Sequence, residues 1–175
     1  MKAAAAALLV VTAGMIIAGQ SAVDPRLVAQ LQRLFPSATS FSPKEGDPPH
    51  FNAYVNEAQS GARKIAGFAF WTTDLEPLER GYDGPIKILV GLDALGILTG
   101  IIVVDHHEPY GSFSIDPPEF AAQFKGKNIR DPFRVGEDID AVSRASISIL
   151  SATRAVRNSA RRVARQLLTP TSPVK

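Results

Sequence analysis

The chain has 175 residues, 45% of them apolar and 21% charged, enough for one packed domain and too apolar for wholesale disorder. It contains no cysteine, which excludes disulfides, thiolate zinc sites, iron–sulfur clusters, a cysteine nucleophile and a lipoprotein anchor. Net charge is only +2, but all 17 acidic residues lie at or before Asp140, and seven cations follow it with no acid among them.

Met1-Lys2 precedes an apolar run from Ala3 to Gly19, and small residues follow. This pattern predicts a secretory signal peptide over residues 1–21, cleaved after Ser21. The run is also near the ~18-residue lower limit of a membrane span, so an uncleaved anchor is the alternative. Either outcome places the rest of the chain outside the cytoplasm, in the periplasm or on the inner membrane. The expected division is 1–21 signal segment, 22–168 folded domain and 169–175 flexible tail.

Asp24-Pro25 reads as a helix N-cap with proline at the first helical position. Leu27, Val28, Leu31, Leu34 and Phe35 repeat at helical spacing, and Pro36 ends the helix. A turn-rich stretch leads to a short strand from Phe51 to Asn56. Residues 64–73 predict a strand with Ile65, Gly67, Ala69 and Trp71 on one face and Ala66, Phe68 and Phe70 on the other. Gly81-Tyr-Asp-Gly84 predicts a turn. Strands from Pro85 to Leu92 and from Ile97 to His106 complete an antiparallel meander.

A short helix opens at Pro117-Pro118-Glu119 and runs through Phe124. The segment from Gly126 to Gly136 reads as loop with a small strand near Phe133. From Ser146 to about Leu168 the period is helical again. Ile149, Ala152, Val156, Ala160, Val163 and Leu167 form one stripe, and Arg154, Arg157, Arg161 and Arg165 fall opposite. That arginine face reads first as a solvated surface. A docking face for an acidic partner or anionic lipid is the sharper alternative, and no interleaved aromatics suggest nucleic acid. The fold class is α+β: a twisted antiparallel sheet packed against helices, ending in a long helix.

Asp140-Ala-Val-Ser-Arg-Ala-Ser146 sits at the start of that helix. Two readings follow from its residues. Asp140 or Ser143 could cap free backbone amides. Alternatively, the helix N-terminus with Arg144 beside it is an anion site suited to a phosphate. Asp105, His106, His107 and Glu108 are weak metal ligands as a set, because alternation on a strand divides them between two faces.

This segment resembles the flavinylation motif of the FMN-binding domain family, Asp-x-x-(Ser/Thr)-Gly-Ala-(Thr/Ser). Gly81-Tyr-Asp-Gly-Pro-Ile86 resembles the family's glycine loop, and His106-His-Glu-Pro109 resembles the loop of its NosR-type members. The resemblance covers about residues 24–168. It implies an FMN cofactor, attached by a flavin transferase as a phosphoester of Ser146, with Asp140, Ser143 and Ala145 completing the motif. It also implies electron exchange with periplasmic or membrane redox proteins, by a carrier more than by a substrate-transforming enzyme. Arg144 departs from the family, standing where its members carry glycine. Tyr82, Gly84, Pro85, His107 and Glu108 are the expected neighbours of the flavin. The rival from another class is a flavin-free binding or assembly module built on the same fold.

Overall fold

The computed structural model describes residues 24–168; the expected signal segment and the tail lie outside the described residues. The first helix, α1, spans Pro25–Leu34. The Asp24 carboxylate accepts from the Arg26 amide at 2.9 Å, and Pro25 occupies the first turn, where its missing N–H costs nothing. Strands β1 (Ser40–Phe41), β2 (Phe51–Asn56), β3 (Arg63–Trp71), β4 (Lys87–Asp93) and β5 (Leu98–Asp105) form one antiparallel sheet in chain order. The meander and the α+β class are as the sequence indicates.

Alternation along β3 separates two cores. Phe68 and Phe70 join the larger core, while Ala69 and Trp71 face the smaller one with Leu31, Leu34 and Phe35 of the α1 region. Glycine is needed where α1 lies on the sheet. A Cβ on Gly91 would stand 3.1 Å from Leu34 Cβ, and one on Gly67 only 2.7 Å from the Phe35 ring. The glycines let the helix close down on the strands.

The opposite face of the sheet is covered by α5, Ser146–Leu167, together with the short helices α2 (Thr72–Leu75), α3 (Gly111–Ser114) and α4 (Pro118–Ala122). The stripe forecast for α5 is buried from Ile149 to Val163, with Leu167 packed at its edge. Each fully buried aliphatic side chain contributes about 1.5–3 kcal/mol. Burial extends beyond the stripe to Ser148, Ser151, Thr153, Ala155 and Ser159. These small residues let α5 sit deep between the sheet and the loops.

The arginines do not form a free face. Arg154 Nη2 pairs with Glu79 Oε1 at 2.8 Å, and Arg157 Nε donates to Asn158 Oδ1 at 3.1 Å. Arg161 donates to the carbonyls of Ile129 (2.9 Å) and Asp131 (2.8 Å). Arg162 reaches the Leu75 carbonyl at 2.7 Å. The long side chains fold back over neighbouring loops because those loops leave carbonyls without backbone donors. Among the four forecast positions, only Arg165 stands exposed without a hydrogen bond to a described residue.

No strand forms near Phe133. That residue has φ of +51°, and its side chain is buried against Phe124, with ring centroids 6.3 Å apart. The loop is instead organised by Asp138, whose carboxylate accepts from the Phe133 amide (3.1 Å), the Arg134 amide (2.5 Å) and Lys127 Nζ (3.0 Å). Burial would raise its pKa, but these donors outweigh burial and lower it. This loop fixes the approach to the motif: Ile139 is buried, and the Asp140 amide donates to Gln123 Oε1 at 2.6 Å.

Candidate functional site

The motif ends in a sharp change of direction. Arg144 has φ of +69°, a left-handed conformation that side chains disfavour and glycine adopts freely. The next residue, Ala145, is 2% exposed and serves as the N-cap of α5, with no side-chain capping bond. Neither Asp140 nor Ser143 caps the helix, contrary to the simpler sequence reading. Both are exposed, and neither side chain makes a hydrogen bond among the described residues. The tight turn at Arg144 carries the chain into the helix too abruptly for residues ahead of it to fold back over the amides.

The consequence is an uncapped helix start. The first backbone bond of α5 is that from the Ile149 amide to the Ala145 carbonyl, 3.1 Å. The amides of Ser146, Ile147 and Ser148 have no acceptor among the described residues. These donors sit at the positive end of a 22-residue helix, where negative charge is favoured.

The same residues help line a cleft of about 330 Å³, together with Arg144, Ala145, Tyr82, Pro109 and Tyr110. That size falls within the range of small-molecule sites. Arg144 reaches the cleft with no ion pair among the described residues. The Ser146 hydroxyl is exposed at its edge. Charge, open amides and a hydroxyl thus share one cleft with aromatic and aliphatic walls. This donor set suits a ligand that is anionic at one end and flat and apolar at the other, so the residues present fit FMN.

Four of the residues forecast for the site line the cleft: Tyr82, Arg144, Ala145 and Ser146. Gly84 and Pro85 do not. Gly84, with φ of +129°, closes the turn through its carbonyl, which accepts from the Gly81 amide at 2.7 Å, and Pro85 leads out towards β4. His107 is exposed and outside the lining. Its neighbour His106 is the engaged imidazole: Nδ1 accepts from the Glu108 amide at 3.0 Å, and Nε2 faces Asp116 Oδ1 at 2.7 Å. β5 ends at Asp105, so residues 106–108 follow a loop and not the alternation of a strand.

Glu108 does not line the cleft but lies behind it, 6% exposed. Its carboxylate accepts from the amides of Tyr82 (2.9 Å) and Asp83 (3.0 Å) and from the Ser148 hydroxyl. Burial pushes its pKa up, but the Ser148 hydroxyl, the two amides and nearby His106 together pull it below the ordinary 4.5. A Cβ on Gly81 would collide with this carboxylate, which explains glycine at the head of the turn.

Tyr110 and Ile147 belong to the cleft without having been singled out for it, and Ser148, one of the hydroxyls that crowd the helix start in the sequence, lines it too. Ile147 carried a signal: it is a large aliphatic residue off the stripe of α5, and 53% exposed. Ser148 precedes Ile149 on the inner side of the helix, where only the packed structure shows what it meets.

An uncapped helix start, an inward-turned carboxylate and an apolar cleft thus meet at one place in an α+β domain. Residues 81–161 match the family model of the FMN-binding domain, spanning the glycine turn, β4, β5, the motif and most of α5. The likeness of this segment to that family supports FMN as the cofactor. The chain is also 26% identical over 165 residues to the regulatory protein NosR of Pseudomonas aeruginosa, an alignment covering 86% of this chain and 22% of NosR. The chain therefore spans about a fifth of the length of that relative.

Proposed function

We propose that this flavin-binding protein is an exported electron carrier holding FMN covalently through a phosphoester of Ser146. The carrying observation is the place of Ser146: an exposed hydroxyl in the first turn of α5, beside open amides and Arg144, at the acceptor position of the motif. Formation of the ester joins Ser146 Oγ to the phosphorus of an anhydride-activated FMN donor: the anhydride P–O bond breaks, its phosphate leaving group departs, the hydroxyl proton is released, and the product is the chain plus one FMN less one water. Exposure of the hydroxyl leaves it accessible to a flavin transferase.

Bound FMN supplies the one- or two-electron chemistry that a chain without cysteine lacks. The protein supplies the setting. Arg144 and the amides of residues 146–148 would hold the phosphate, while Tyr82, Tyr110 and Ile147 would offer the flat ring its apolar contacts. A covalent tether suits a protein separated from the cytoplasmic flavin pool, and the predicted signal segment supports export. Among the described residues, no helix is long and apolar enough to cross a membrane. Its partners on this reading are the transferase and redox proteins of the periplasm or membrane.

One observation favours the flavin-free binding module, namely the arginine held in a backbone conformation made for glycine. Acid precipitation of protein produced with a flavin transferase separates the two. Flavin in the pellet is expected; flavin wholly in the supernatant contradicts the covalent link.

A further inference from the structure

The glycine turn and the start of α5 are joined through one buried charge. Glu108 spends both carboxylate oxygens on neutral donors: Oε1 on the Asp83 amide, Oε2 on the Tyr82 amide and the Ser148 hydroxyl. It makes no ion pair among the described residues. His106 does not cancel the charge by pairing with it, since its Nδ1 accepts the Glu108 amide and its Nε2 faces Asp116. Two of the three donors to the carboxylate, Tyr82 and Ser148, belong to residues of the cleft lining. The charge therefore sits one residue behind the cleft, in a place largely closed to water.

We propose that Glu108 is a positioning residue that locks the glycine turn to the first turn of α5 and, as a buried anion held by neutral donors, holds the reduction potential of bound FMN down. The inference rests on the reading of this cleft as the FMN site. A negative charge behind the cleft opposes the arrival of an electron in it, and low local polarisability strengthens the effect. The hydrogen bonds that keep the carboxylate ionised also hold Tyr82 at the cleft wall, so the same three contacts shape the site and set its field.

The test uses the full chain loaded with FMN, comparing wild type, Glu108→Gln and Ser148→Ala by spectroelectrochemical titration. Glu108→Gln keeps the size and removes the charge, and its potential should move to more positive values. Ser148→Ala keeps the charge and removes a donor that spreads it, so its potential should move to more negative values. Equal potentials in wild type and Glu108→Gln overturn the proposal, because a purely structural residue leaves the potential of the molecules that still bind FMN unchanged. Should Glu108→Gln not fold, Ser148→Ala decides: a negative shift supports the proposal, and no shift or a positive one overturns it. If wild type takes up no FMN, the reading of the cleft itself fails, and the inference with it.

Discussion

The Ser148 hydroxyl donates to the Glu108 carboxylate across 40 positions of chain, tying the first turn of α5 to the loop that follows β5. Because that carboxylate also accepts two amides of the glycine turn, three separate segments meet on one buried group.

This arrangement makes stability depend on pH. The folded pKa of Glu108 is lowered, so its contribution is fully present above the unfolded value near 4.5 and is lost as pH falls through the folded value. Hydrogen bonds to a charged group contribute about 1.5–3 kcal/mol. Denaturant unfolding at pH 7 should show Glu108→Gln less stable by about 2 kcal/mol, a range set by those bonds. The gap should narrow at pH values below 4.5. A gap that stays constant over this range contradicts an ionised Glu108 in the folded protein.

At Arg144, the left-handed backbone costs about 1 kcal/mol for a residue with a Cβ. Arg144→Gly should raise stability by at most about 1 kcal/mol, what remains of the strain once the entropy that glycine adds to the unfolded chain is subtracted. Thermal melts of the two proteins measure it. A lower melting temperature in Arg144→Gly would show that the guanidinium makes a stabilising contact.

The arginines of α5 divide into bound and free. Arg161 satisfies two loop carbonyls from a partly buried position, so Arg161→Ala should cost about 2 kcal/mol. Exposed Arg165→Gln should change stability by less than about 0.5 kcal/mol. Equal effects in chemical unfolding would return Arg161 to the solvated face that its helical position suggests.

Much of the framework is legible in residue order alone. The alternation of β3 assigns Phe68 and Phe70 to one core and Ala69 and Trp71 to the other, and the period of α5 marks Ile149 to Val163 for burial. Both signals work because one periodic element presents one side to one core. Phe133 defeats this logic: a left-handed residue in a loop buries its ring without any period to announce it. The arginine face is only partly solvated for a related reason: Arg161 finds acceptors in the carbonyls of Ile129 and Asp131, whose vacancy depends on how distant loops end.

The site was half legible. Residues adjacent in sequence, from Arg144 to Ser146, meet at the cleft as the motif suggests. Asp140 and Ser143 stand clear of the helix start, because the turn at Arg144 separates them from the amides they were expected to cap. Glu108 was placed among the flavin's neighbours, but its carboxylate turns inward to the glycine turn and Ser148. Only tertiary packing reveals that direction.

Intact-mass analysis tests most directly whether Ser146 is the point of FMN attachment. The chain is produced together with a flavin transferase, beside Ser146→Ala and Arg144→Gly. Wild type and Arg144→Gly should each gain the mass of one FMN less one water, and Ser146→Ala should gain nothing. A wild-type chain that gains no mass while Arg144→Gly does, or a Ser146→Ala variant that still carries the added mass, contradicts the account.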